Sequence, residues 1–139
     1  VGCELEWRIL LLQLYHIAYT NDVFLTKVPS SDENNTAIQA ALLTIQKNYT
    51  EPIQVSLLAK EAGFSVEHFS RVFKYVTGMS PINYIISCRI QHAEHLLTHT
   101  SLSVSEIATT SGFNDINYFS RYFKKIHNLS PTQYRKTFS

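Results

Sequence analysis

The sequence predicts an all-α protein: two helix-turn-helix units joined by a long linking helix, with a separate apolar helix ahead of them. Three observations carry this. No stretch alternates apolar and polar residues with period two, whereas apolar residues recur at i, i+3, i+4 and i+7 in several segments. One phrase is written twice, Phe69-Ser70-Arg71-Val72-Phe73-Lys74 and Phe119-Ser120-Arg121-Tyr122-Phe123-Lys124. Each copy also sits in a shared frame. Val55, Leu58, Ala59 and Gly63-Phe64 are answered by Val104, Ile107, Ala108 and Gly112-Phe113, and Ser80-Pro81 and Tyr84 by Ser130-Pro131 and Tyr134. The offset is 49 before the phrase and 50 after it, so the second copy gains one residue between Phe113 and Phe119.

Three zones follow along the chain. Residues 3–20 read as one helix, apolar nearly all round from Leu5 and Trp7 to Ile17 and Ala18, and a helix of that kind is normally buried. Residues 28–36 are polar, contain Pro29 and show no periodicity, which predicts a linker. The expected organisation is therefore 1–27 as the end of a preceding domain, 28–36 as linker and 37–139 as the double helix-turn-helix domain.

Residues 37–139 read as seven helices. The first places Ile38, Ala41, Leu42, Ile45 and Tyr49 on one face and ends before Thr50-Glu51-Pro52. The second, roughly 55–62, stops at Gly63. The third runs from about 66 to 77, with Ser65 placed to cap it and Gly78 to end it. The fourth starts from Ser80 with Pro81 at its first position, where the missing N–H costs nothing. It continues to about Leu97, with Ile82, Ile86, Ile90, Ala93 and Leu97 inward. The fifth opens on Ser103-x-x-Glu106, a capping box, and stops at Gly112. The sixth spans about 115–127, and the seventh, again from a Ser-Pro start, closes near Lys136.

The third and sixth helices each have two faces. Phe69, Val72, Phe73 and Val76, like Phe119, Tyr122, Phe123 and Ile126, fall at core spacing. Opposite them stand Glu67, Ser70, Arg71 and Lys74, and Asn117, Ser120, Arg121 and Lys124. Arg bonds a guanine edge bidentately, Asn does the same with adenine, and Ser or Lys holds phosphate. On one helix such a face is ordinary solvated surface. Here the helix follows a short helix and a Gly-containing turn, the order in which a second helix enters the major groove, and the unit occurs twice. The joining helix of about 17 residues is roughly 25 Å long, a strut suited to two recognition helices about one DNA turn, ~34 Å, apart.

The frame Ile107-Ala108, Gly112-Phe113, Tyr118-Phe119-Ser120-Arg121-Tyr122-Phe123-Lys124-Lys125, Ser130-Pro131 and Tyr134-Arg135 resembles the signature of AraC/XylS-type transcription regulators. The first copy, with Leu58-Ala59, Phe69-Ser70-Arg71, Phe73-Lys74, Gly78, Pro81 and Tyr84, resembles the less regular first half of that domain. Arg89, Ala93 and Leu96-Leu97 match its linking helix. The resemblance covers about residues 38–138 and implies a bacterial regulator with two homeodomain-like subdomains on successive major-groove segments of double-stranded DNA. It implies base readout by Val66, Glu67, Ser70 and Arg71, and by Ile116, Asn117, Ser120 and Arg121. Lys74, Lys124 and Lys125 are expected on phosphate. Asn128 stands where the family usually has Gly, and Asn also tolerates a left-handed conformation. Family members commonly carry a sensor and dimerisation domain ahead of the DNA-binding part. On that analogy residues 3–20 are expected to pair in a homodimer, the alternative being a helix folded back on its own domain. An effector acting through a missing N-terminal domain, and RNA polymerase as partner of the intact protein, are expected in the same way.

Composition narrows the classes. A 45% hydrophobic and 12% aromatic content supplies a core and excludes disorder. Net charge is +1, unevenly divided: residues 1–36 hold two bases against five acids, net −3, and residues 37–139 hold ten against six, net +4. Cys3 and Cys88 support neither a disulfide scaffold nor a zinc frame, so a reducing cytoplasm fits, on the nucleoid for a DNA reader. The apolar run Ile9–Ala18 is shorter than the ~20 residues a membrane span needs. A first residue Val and a single Met79 suggest a piece of a longer protein. His92, His95 and His99 lie at i, i+3, i+7, but no further ligand is spaced to complete a metal site, and no cofactor or metal is expected. No phosphate loop, dinucleotide fingerprint or nucleophile elbow occurs, so an enzyme is not expected. Two rivals remain open: a protein-interaction module using the N-terminal apolar helix, and the DNA-binding appendage of a repair methyltransferase, which requires reactive and zinc-binding cysteines upstream.

Overall fold

The computed structural model describes residues 32–139. Among them are seven α-helices and no strand: α1 Asp32–Asn48, α2 Val55–Glu61, α3 Val66–Thr77, α4 Pro81–His99, α5 Val104–Thr110, α6 Ile116–His127 and α7 Pro131–Phe138. The apolar segment 3–20 and the dimer and sensor expectations attached to it lie outside the described residues, as does Cys3. The expected linker 28–36 needs correction, because α1 begins at Asp32 and takes residues 32–36 into its first turns. That stretch has no Gly or Pro to interrupt a helix. The polar composition reported an exposed helix face rather than an irregular chain.

The chain divides into two compact units. One holds α1 as far as Lys47, then Ile53 through α2 and α3 to Tyr84; the other holds residues 48–52 and Ile85–Ser139. In the first unit Ile38, Ala41 and Ile45 of α1 are buried, with Leu58 and Ala59 of α2 and Phe69, Val72 and Phe73 of α3. Phe73 meets Tyr84 edge to face at 5.6 Å between ring centroids. The second unit has a continuous core of Ile86, Ile90, Ala93, Leu97, Ile107, Ala108, Phe113, Phe119 and Phe123. Its counterpart contact is Phe123 against Tyr134, edge to face at 5.3 Å. The repeated letters Phe and Tyr thus make one interaction twice.

Two expected core positions face out instead. Ile82 is 59% exposed, because α4 serves two units, Pro81–Tyr84 with one and Ile85 onward with the other, and a single apolar stripe does not describe both. Ile126 is 45% exposed; the inward place in that last turn goes to His127, whose ring packs at 4.5 Å from Phe123 and 5.1 Å from Tyr134.

Candidate nucleic-acid interface

Each recognition helix is set by the turn before it. After α2, the Gly63 amide donates to Lys60 O at 3.0 Å and the Phe64 amide to Ala59 O at 2.9 Å. After α5, the Gly112 amide donates to Thr109 O at 3.1 Å and the Phe113 amide to Ala108 O at 2.9 Å. This double closure ends a helix on a left-handed residue and needs positive φ, which Gly63 (77°) and Gly112 (104°) supply. The chain then enters α3 through Ser65, whose Oγ accepts from the His68 amide at 3.2 Å. It enters α6 through Asp115, whose Oδ1 accepts from the Asn117 amide at 2.8 Å. The inserted residue of the second copy is thereby located: Asn114 stands between Phe113 and the cap, where the first copy passes directly from Phe64 to Ser65.

Both helices are twelve residues long and share one register, and their buried residues hold the opposite faces in solvent. On α3, Val66, Glu67, Arg71 and Lys74 are exposed and Ser70 is half-buried. On α6, Ile116, Asn117, Arg121, Lys124 and Lys125 are exposed and Ser120 is half-buried. Every residue expected at the interface therefore lies on an outward or flanking face of its helix. Among the described residues no hydrogen bond or ion pair engages the side chains of Glu67, Arg71, Lys74, Asn117, Arg121 or Lys124. Lys125 differs: its Nζ lies 5.9 Å over the Tyr122 ring, which pins it to the flank of α6.

Two arginines matter more to this geometry than their place in the sequence suggested. Arg89 of α4 donates from Nε to Tyr49 O at 2.6 Å and from Nη2 to Glu51 O at 2.9 Å, tying down the chain that leaves α1. Arg135 of α7 donates from Nε to Leu97 O at 3.1 Å and from Nη2 to Leu102 O at 2.6 Å, doing the same for the chain that leaves α4. Of these acceptors Leu97 O is a carbonyl that the end of α4 leaves open, and the others belong to the loops just beyond their helices. Long-range partners of this kind give no local pattern, so only the resemblance flagged these residues. The histidines of α4 are not brought together as a metal site. His92 Nδ1 lies 3.1 Å from the Tyr49 hydroxyl, and burial, then the neighbouring His95, lowers its pKa. His95 and His99 stack on each other at 4.2 Å. Among the described residues no group of three His, Cys, Asp or Glu is placed to hold a metal, and no helix is long and apolar enough to cross a membrane.

Residues 58–137 match a helix-turn-helix domain family, more than half of the chain. The chain belongs to the AraC/XylS family of transcription regulators. The lactose operon transcription activator of Staphylococcus xylosus is 37% identical over 134 residues, covering 94% of this chain and 48% of that protein. Among solved structures, the C-terminal domain of the two-component response regulator yesN from Fusobacterium nucleatum is 34% identical with a TM-score of 0.68, covering 72% of this chain and 98% of that one. The DNA-binding domain of AdpA, solved with a target DNA, is 28% identical with a TM-score of 0.69, covering 73% of this chain and 91% of that one. The chain spans about half the length of the curated relatives it matches. The two helix-turn-helix units are the DNA-binding domain of this AraC/XylS-type family, which is one of regulators and not of enzymes.

Proposed function

We propose that this chain is the DNA-reading part of a transcription regulator and that α3 and α6 enter successive major-groove segments of one duplex. The observation that carries the reading is the duplicated face: at equivalent positions of two helices, Arg71 and Lys74, and Arg121 and Lys124, stand exposed and unengaged over a buried aromatic stripe. Arg71, Ser70 and Glu67, and Arg121, Ser120 and Asn117, supply hydrogen bonds to base edges, with Val66 and Ile116 apolar partners for thymine methyl groups. Lys74, Lys124 and Lys125 neutralise phosphates. Such a regulator works on the nucleoid in the cytoplasm. RNA polymerase contact, pairing through residues 3–20 and an effector acting on a preceding domain are further parts of this reading, carried over from the family resemblance.

The test begins with a duplex selected from a random pool by the 139-residue chain, titrated with the wild type and two variants. Arg121→Ala is expected to cost about 1–3 kcal/mol on the selected site and to relax the preference at one base pair. Lys124→Ala is expected to weaken all sequences alike and to make the salt dependence shallower. Unchanged specific affinity in both variants would overturn the assignment of these faces.

A further inference from the structure

The last turn of α6 carries a polar contact that the DNA-facing residues do not use. His127 Nε2 lies 2.5 Å from Glu94 Oε1 of α4, with the two side chains only 20% and 28% exposed. The imidazole is clamped between Phe123 and Tyr134, so it approaches the carboxylate in one orientation. His127 also immediately precedes Asn128, the left-handed residue that ends α6. The equivalent residue of the first copy, Thr77, bonds back to Phe73 O of its own helix at 2.8 Å and supplies no such acid–imidazole pair. No other acidic and basic side chains among the described residues come within 4 Å of each other.

We propose that His127 is a positioning residue: by pairing the half-buried Glu94 carboxylate it keeps the C-terminal end of α6 seated on α4, and with it the orientation in which α6 meets its DNA half-site. The assignment rests on the DNA-reading function above. Burial pushes the Glu94 carboxyl above the usual carboxylate range, and the neighbouring His127 pulls it back. A raised carboxyl favours folding at low pH, and that contribution is lost as pH rises through its folded value. His127 is therefore what makes a half-buried carboxylate tolerable. The other titratable groups around the pair are few. Tyr134 of α7 packs on the imidazole and is itself held above its ordinary range by burial and by Glu94. Lys124 lies one turn back on α6 and is exposed, and His95 follows Glu94 on α4 with its ring stacked on His99.

The test uses the full chain and a duplex it selects from a random pool, with each half-site also scrambled in turn. His127→Phe keeps an aromatic ring against Phe123 and Tyr134 but leaves Glu94 without its partner. At pH 7.5 it is expected to weaken binding about tenfold, the scale of a partly buried charge stripped of its partner. The loss should persist when the α3 half-site is scrambled and disappear when the α6 half-site is scrambled. Adding Glu94→Gln should restore most of the affinity, which a loss of packing alone would not do. Glu94→Gln by itself retains an acceptor for the imidazole and controls for folding; it should bind within about twofold of the wild type. A double variant as weak as His127→Phe, or a loss indifferent to which half-site is scrambled, overturns the assignment while leaving DNA reading intact. A wild-type chain that selects no duplex overturns both.

Discussion

The two helix-turn-helix copies share their apolar letters and differ in nearly everything around them. In the first copy α2 has Gln54 at its start with no side-chain cap, whereas α5 in the second opens on a complete capping box between Ser103 and Glu106. A Cβ on Gly63 would meet open space, while one on Gly112 would come within 2.9 Å of Arg89 Nε and 3.0 Å of the Thr50 backbone. The residue before that glycine is Ala62 in one copy and Ser111, fully buried, in the other. The outer faces differ as well: α3 holds Arg71 and Lys74 against Glu67, and α6 holds Arg121, Lys124 and Lys125 with no acid. The shared aromatic stripe thus sets one shape twice. The second copy is held more tightly from outside itself and offers the stronger footing for a polyanion.

The glycines separate the copies most sharply. Gly112→Ala must both adopt a positive φ and displace backbone, and should cost roughly 3–5 kcal/mol from strain and overpacking together. Gly63→Ala carries the conformational strain alone, about 1–2 kcal/mol. Urea unfolding of the two variants measures the difference directly, and equal costs would show that Arg89 and Thr50 do not crowd the second turn. In binding, the Lys124→Ala/Lys125→Ala pair should reduce the slope of log affinity against log salt by about 2, and Lys74→Ala by about 1. Equal slopes would remove the asymmetry of footing.

What was legible in the sequence follows the same division. Helix positions, caps and the buried stripes of α3 and α6 were readable because each depends on neighbours within one turn, and the repeat supplied an internal check. The left-handed end at Gly78 was readable for that reason too, and the one at Asn128 through the family resemblance. Ile82 and Ile126 were misread because the stripe is a property of one helix, and their exposure depends on which unit or which ring takes the adjoining place. The start of α1 was misread because polarity and Pro29 in 28–31 were extended to residues that are merely solvated. The outward residues of the interface were legible as a face, whereas the contacts of Arg89, Arg135 and Glu94 close across 33 to 40 positions and leave no local trace.

Ser111 offers a smaller test in the opposite direction. Its hydroxyl is buried and meets no hydrogen-bond partner among the described residues, although its amide is satisfied by Ile107 O at 2.9 Å. The first copy already has Ala at this place. Ser111→Ala is therefore expected to stabilise the protein by about 1 kcal/mol, the cost of leaving a buried hydroxyl unpaired. A rise in melting temperature supports the reading; a fall would mean the hydroxyl has a partner and the two turns are less alike than their backbones.

The smallest expected difference lies in how the first helix of each unit responds to acid. Glu106 Oε2 accepts from the Ser103 amide at 2.8 Å, and that backbone hydrogen bond, followed by the one from the Ser103 side chain, lowers the carboxyl below the ordinary glutamate range. A carboxyl depressed in the folded state adds stability above its unfolded pKa and loses it as pH falls through the folded value. Glu106→Ala should therefore be less stable than the wild type near neutral pH, and the gap should close on acidification through that window. The start of α2, where Gln54 makes no side-chain cap, has no titrating group to respond in this way. Stability of the wild type and Glu106→Ala, followed by thermal melting from neutral to acid pH, decides the point. A gap that stays constant with pH would mean that the α5 cap acts through shape rather than charge, and the two copies would then start their first helices on the same electrostatic terms.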